Sequence, residues 1–395
     1  MTDTTATLPR RDLRIIGLMG ASHFSSHFFQ LVLPPLFPAI RAEFGVSYTE
    51  LGTVIAVMFA VSGIGQVIAG FLVDRIGAQV ILPAGIALFA GAMLLAGLAP
   101  AFWVLFPIAA LAGLGNSVYH PADYSVLSGR VTPTRLGRAY AVHNVTGSLG
   151  WAAAPVTMLL LAEAFGWRGA LIVAGIAGLV FAAYVATQQS DMAVPAKPPR
   201  RSDAGPAAPV LFTRPVLLCL LYFTLLSIAL VGMQNFLPTL LPLVQGVALP
   251  FAATATTAYL VAGAVGSMLG GIVADTTPHH ARIIGVGLVS GGLALMAVGY
   301  VPMPAVAVLA AVVLAGVLIG ATMPSRDMVA KAATPPGSEG KVFGFVYSGL
   351  DIGAMIAPPV IGLLVDWGRP REAFLFVAAA LIATVLAAVF ARPAR

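Results

Sequence analysis

The sequence is poor in charge and almost free of cysteine. Lys, Arg, Asp and Glu make up 9% of its 395 residues, and Cys219 is the single cysteine. Soluble domains carry about 25% charged residues, so this composition excludes an ordinary soluble enzyme. One cysteine excludes a disulfide scaffold. Disorder and collagen-like repeats are excluded as well, because apolar residues dominate. The polar start, MTDTTATLPRRDLR, precedes an apolar run too long for the h-region of a signal peptide, so no cleaved leader is expected.

What is present is 59% hydrophobic residues gathered into long runs. A helical span takes about 20 residues, and the runs predict twelve: 13–38, 50–72, 80–99, 102–128, 139–161, 169–188, 215–243, 252–274, 282–301, 304–330, 341–364 and 372–391. The fold class is therefore an all-α membrane protein. The segment 189–214, rich in Pro, Ala and charge, reads as a polar linker between an N-terminal half, 1–188, and a C-terminal half, 215–395. With the N-terminus inside, sixteen of the 21 basic residues fall in inside segments, among them Lys197, Arg200, Arg201, Arg392 and Arg395. That asymmetry predicts a multi-pass protein of the inner membrane with both termini cytoplasmic. The net charge of +6 is thus a topology label, and no nucleic-acid partner is expected.

The halves repeat. The segment from Leu111, LAGLGNSVYHPADYSVLSGR, aligns with LAGVLIGATMPSRDMVAKAA from Leu314 at an offset of 203, which also relates Pro121 to Pro324 and Arg168 to Arg371. Such repeats place a substrate site near the membrane midplane between two six-helix halves around a central cavity.

GFLVDRIGAQ, with Gly70, Asp74, Arg75 and Gly77, resembles the loop signature between helices 2 and 3 of the major facilitator superfamily, and Gly166-Trp167-Arg168 is similar to that family's start of helix 6. GNSVYHPAD looks most like its fosmidomycin-resistance type of exporter, although Ala122 separates His120-Pro121 from the acid Asp123. The resemblance implies secondary transport by alternating access, with Asp74 capping a neighbouring helix start and Arg75 and Arg130 as its partners in gating.

An ionisable group inside a span costs about 2.5–3.5 kcal/mol and so marks a cavity or a partner. His23, His27 and Gln30 form one stripe of the first span, and Asn116, His120, Asp123 and Tyr124 one face of helix 4. A buried His120–Asp123 pair that merely fixes packing is the bland reading. His143 and Asn144 on helix 5, Gln234 and Asn235 on helix 7, and Tyr347 on helix 11 are further substrate-contact candidates. Asp123, Asp351 and His120 are candidate proton carriers. Asp123 and Arg326 are symmetry mates, expected to attract across the cytoplasmic half in the outward-facing state; alternatively Arg326 pairs with Asp327, and Asp327 with Lys331.

These residues predict a proton-coupled exporter of a small amphiphilic or anionic compound, acting as a monomer with protons, a small-molecule substrate and the lipid bilayer as its partners. An organic-anion importer uses the same parts. No cofactor is implied and no metal ligand set is assigned, yet His23-x-x-x-His27 has ligand-like spacing. With His120, His143 and Asp123 it supports the alternative of a divalent metal or chelate as cargo. A hydrolase built on Ser117, His120 and Asp123 lacks any G-x-S-x-G elbow and is not expected.

Overall fold

A computed structural model describes residues 10–194, 211–332, 334 and 339–390. The described residues are almost entirely helical: α1 Arg10–Gln30, α2 Phe37–Phe44, α3 Tyr48–Ile76, α4 Ala78–Gly97, α5 Leu105–Asn116, α6 Tyr119–Arg130, α7 Leu136–Thr187 and α8 Gln189–Met192. There follow α9 Arg214–Gln245, α10 Leu249–Thr276, α11 His280–Tyr300, α12 Ala305–Gly320, α13 Met323–Ala332, α14 Glu339–Asp366 and α15 Pro370–Phe390. Most of the linker 189–214, with Lys197, Arg200 and Arg201, lies outside the described residues, as do Arg392 and Arg395. The linker does not begin as open chain, since its first residues form α8.

Among the described residues, ten helical stretches are long and apolar enough to cross a membrane. One of them, Pro133–Thr187, has 55 residues and would reach about 80 Å as a straight helix, against a hydrocarbon core of about 30 Å. It is two spans joined at Gly166, whose φ of 71° suits glycine and bends the chain there. Adding α1, polar along one side, makes about twelve spanning helices, as the apolar runs predict. The outer surface is apolar, with Phe71 73% and Val306 79% exposed, which only a lipid environment tolerates over so many side chains.

Three spans read as continuous in the sequence are broken. The first stops at Gln30, turns through the 3-10 segment Pro34–Leu36 and resumes as α2. Pro34 and Pro35 supply no backbone N–H to continue α1. The stretch 102–130 divides into α5 and α6 just ahead of Pro121, and 305–332 divides into α12 and α13 at the matching Pro324. In each case the proline ring removes a hydrogen bond to the residue four before it.

Contacts gather the described residues into two compact units, one within Met1–Gln30, Val61–Ala154 and Leu161–Pro199, the other within Leu31–Ala60, Pro155–Leu160 and Arg200–Arg395. In the first, α4 packs on α5 around the fully buried Leu82, Ile86 and Phe89. Arg168 donates to the carbonyls of Gly97 at 3.1 Å and Ala99 at 2.7 Å, capping the C-terminal end of α4, and its guanidinium lies 4.4 Å from the centre of the Trp167 ring. A cation there meets the negative end of the helix. Asp12, buried ahead of the first span, pairs with Arg135 at 3.3 Å. Burial raises its pKa, but hydrogen bonds from Thr132 and Arg135 outweigh this and hold it below the ordinary carboxylate value.

In the second unit, α9 packs against α14 and α15, and Phe37 meets Phe236 edge to face at 5.6 Å. The start of α3 is capped twice. Ser47 and Glu50 form a reciprocal capping box, Ser47 N–H to Glu50 at 2.8 Å and Glu50 N–H to Ser47 Oγ at 3.1 Å. Asp366, at the end of α14, accepts the N–H groups of Tyr48 at 2.9 Å and Thr49 at 2.8 Å and the Thr49 hydroxyl at 2.6 Å.

Two stability predictions follow from these caps. Arg168→Gln is expected to cost about 1–3 kcal/mol, because a charge-assisted pair of bonds is replaced by a weaker neutral one. A thermal unfolding curve of the detergent-solubilised protein reads the loss, and an unchanged midpoint would refute the cap. Asp366→Ala is expected to cost about 1 kcal/mol, and Asp366→Asn less because an acceptor remains; equal midpoints for both variants and the parent would show the cap to be inert.

Candidate functional site

The first unit concentrates its polar side chains where α1, α6 and the first part of α7 meet. Polar groups at His23, Ser26, His27 and Gln30 recur every three or four residues, so they share one side of α1. All four are buried, as are Asp123 and His143 at 0% and 1% exposure. His23 Nδ1 lies 2.7 Å from the His143 carbonyl. A carbonyl only accepts, so Nδ1 carries the proton, and neutral His23 keeps its lone pair on Nε2. The His23 and His143 rings stack at 3.7 Å, and the His23 centroid lies 4.1 Å from that of His27 and 5.2 Å from that of His120.

Asp123 does not pair with His120 on its own helix. Its Oδ2 lies 3.1 Å from Nε2 of His143 on α7. The other carboxylate oxygen, Oδ1, is buried and has no hydrogen-bond partner among the described residues. Beside this pair runs a neutral network. Asn116 accepts from Ser26 at 2.8 Å and Gln30 at 3.1 Å, and donates to Ser62 at 2.8 Å. Gln30 in turn accepts from the Trp151 indole at 2.9 Å, and that indole stacks on His27 at 3.8 Å.

The sequence reading missed Trp151, Ser26 and Ser62. Ser26 alone had a readable signal, because it lies three residues after His23 on the same stripe of α1. Gly147 is what lets α7 approach: a Cβ there would stand 2.5 Å from His23 Cε1 and 2.8 Å from His27 Nδ1. Tyr124 is partly exposed and lies 5.2 Å from the His143 ring, whereas Asn144 is exposed and does not join the buried cluster. Ser117 donates to the Leu114 carbonyl at 2.7 Å, so it forms no triad with His120 and Asp123.

The second unit has its own polar group. Arg326 Nε donates to Asp327 at 2.8 Å, and its guanidinium sits 4.8 Å from the Phe223 ring centre and 5.6 Å from that of Tyr347. Tyr347 donates its hydroxyl to the same Asp327 oxygen at 2.8 Å, a place the sequence reading gave to Lys331. In this structure, then, Asp123 is engaged with His143 and Arg326 with Asp327. Asp351 is half-buried one turn beyond Tyr347. Gln234 and Asn235 are buried on α9, where Asn235 donates back to the Val231 carbonyl at 2.8 Å and keeps an unpartnered Oδ1 among the described residues.

Asp74 and Arg75 are exposed at the end of α3. Arg130 serves a different contact from the gating one expected of it, donating to the Ser190 carbonyl at 2.8 Å and the Asp191 carbonyl at 3.0 Å and so pinning α8 to α6. Arg14 joins the same place through Asp191 at 2.9 Å.

Known proteins resemble this chain in sequence and in fold. The chain is 26% identical over 360 residues to the "Uncharacterized MFS-type transporter YfnC" of Bacillus subtilis (strain 168), covering 89% of this chain and 86% of that one. It is 26% identical over 419 residues to the gentisate transporter of Corynebacterium glutamicum, covering 99% and 92%. Its likeness to the fosmidomycin resistance protein of Escherichia coli (strain K12) is narrower than the motif implied, at 25% over 162 residues, 41% of this chain and 40% of that one. Among solved structures, a bacterial homologue of the human lysosomal transporter Spinster, inward-facing and occupied, superposes with a TM-score of 0.80 over 98% of this chain and 97% of that one at 17% identity, a likeness of fold. The model of the Major Facilitator Superfamily matches residues 19–286 and 245–395, and the chain belongs to that family of membrane transporters, which are not enzymes.

Proposed function

We propose that this protein is a proton-coupled secondary transporter that exports a small amphiphilic or anionic compound across the inner membrane by alternating access, with both termini in the cytoplasm. The observation that carries the reading is the buried Asp123–His143 pair. A scaffold in lipid gains nothing from a carboxylate at 0% exposure, since burying it costs several kcal/mol. A carboxylate against an imidazole is also a pair between which a proton can be held or released. It stands directly after the break between α5 and α6, the kind of interrupted helix that marks binding sites in transporters.

Arg326 supports the anionic preference. Its charge lies against the neighbouring rings of Phe223 and Tyr347, a setting suited to a carboxylate or phosphonate attached to an apolar body. The full-length likeness to a gentisate transporter favours a second reading, proton-coupled uptake of an organic anion, which needs the same residues. Direction depends on which state the proton and the substrate each stabilise.

Proteoliposomes with an imposed pH gradient decide the matter, screened with phosphonates, aromatic and aliphatic organic acids and cationic drugs while internal pH is followed. For the substrate so found, Asp123→Asn is expected to lower gradient-driven flux about tenfold or more while leaving substrate exchange, which moves no net proton, within about twofold. Gradient-driven flux that survives in both Asp123→Asn and Asp351→Asn would overturn proton coupling through these carboxylates. Arg326→Gln is expected to raise the KM for an anionic substrate about tenfold, the worth of one charge-assisted contact, and to spare a neutral analogue of the same shape. An equal effect on both compounds would remove the anion-binding role.

A further inference from the structure

Helices α1 and α6 bring more nitrogen into one buried place than the hydrogen bonds around them use. His23 Nε2, His27 Nδ1 and His120 Nδ1 are all buried and have no hydrogen-bond partner among the described residues. One ring nitrogen can be taken from each of the three residues so that the set lies within 4.8 Å of one another. An isolated histidine in a membrane helix finds a carbonyl or hydroxyl; three clustered histidines that each leave a buried nitrogen idle are costly unless something accepts their lone pairs.

We propose that His23, His27 and His120 bind a divalent transition-metal ion. Tetrahedral coordination by imidazole places ligand nitrogens about 3.3–3.4 Å apart, so the rings need close by only a fraction of their present spacing. The second layer is already in place. The His143 carbonyl receives the Nδ1 proton of His23 at 2.7 Å and so presents Nε2 as the ligand, the outer hydrogen bond that metal-binding histidines characteristically make. His143 is itself held by Asp123, and the Trp151 ring lies flat against His27. Three neutral imidazoles select Zn2+, Ni2+, Co2+ or Cu2+ and not Mg2+ or Ca2+, which prefer oxygen. Three protein ligands leave a fourth position for water or for an exogenous donor, the arrangement of an exchangeable site and not a closed structural one. The site shares its location with the transport reading but does not rest on it.

The test uses the full-length protein in lipid nanodiscs, isolated through a tag without histidine, stripped with chelator and titrated with Co2+. The expected result is a saturable visible absorption of nitrogen-coordinated Co2+, one ion per chain, displaced by Zn2+ and unaffected by Mg2+. His27→Gln and His120→Gln should each weaken binding about tenfold or more. The double variant His279→Gln/His280→Gln, altered only at the two histidines at the start of α11, should bind like the parent. Asn116→Ala disturbs the same cluster without removing a ligand, so its retained absorption would separate ligand loss from loss of fold. Absence of saturable binding in the parent, or binding unchanged in His27→Gln and His120→Gln, or binding lost in the His279/His280 variant, overturns the site. A silent titration alongside intact proton-driven flux would defeat the metal site alone; metal binding without flux would leave the site and defeat the transport reading.

Discussion

A helix in hydrocarbon has no water to answer its polar side chains, so every such group must be matched by the protein or left at a cost of several kcal/mol. The arrangement of the first unit follows from that constraint. The side of α1 bearing His23, Ser26, His27 and Gln30 cannot face lipid, and it turns instead toward Asn116, Trp151 and the His143 carbonyl. Asp123 turns toward His143 for the same reason. In the second unit Arg326 is neutralised by Asp327 and covered by two aromatic faces. The two polar groups differ in kind: one is mostly neutral and nitrogen-rich, the other a cation with its own counter-ion.

Close packing is the other condition for this chemistry. A histidine on α1 reaches a carbonyl of α7 only if the helices nearly touch, and Gly147 and Gly150 allow it, the latter lying against the Phe24 carbonyl. Small residues at helix contacts are the usual means by which membrane helices gain dispersion contact and bring polar groups within hydrogen-bonding reach. Glycine in this stretch therefore determines the geometry of side chains it never bonds to.

Much of this was readable from the residues because hydropathy and helical period are strong signals in a membrane chain. The run 215–243 became Arg214–Gln245, and 282–301 became His280–Tyr300. The polar stripes on α1 and α6 were legible because a helix places residues three and four apart on one side. Three things were not. The partner of Asp123 lies on another helix, and periodicity says nothing about contacts between helices, so neither the expected Arg326 nor the bland alternative His120 pointed to His143. Trp151 counts as apolar in any composition, although its N–H completes the Gln30 network. The cap of α3 joins Tyr48 to Asp366 across a sequence separation of 318, which no local pattern contains.

That last contact has an asymmetry of its own. Of the three donors that Asp366 collects, two are backbone N–H groups of Tyr48 and Thr49. Nearly any amino acid at position 48 or 49 would supply the same two donors, and only proline would withhold one. Mutation can therefore adjust the junction almost solely from the acid's side. A single codon at 366 sets how firmly the start of α3 is held to the end of α14, with no compensating change on the other partner able to restore it.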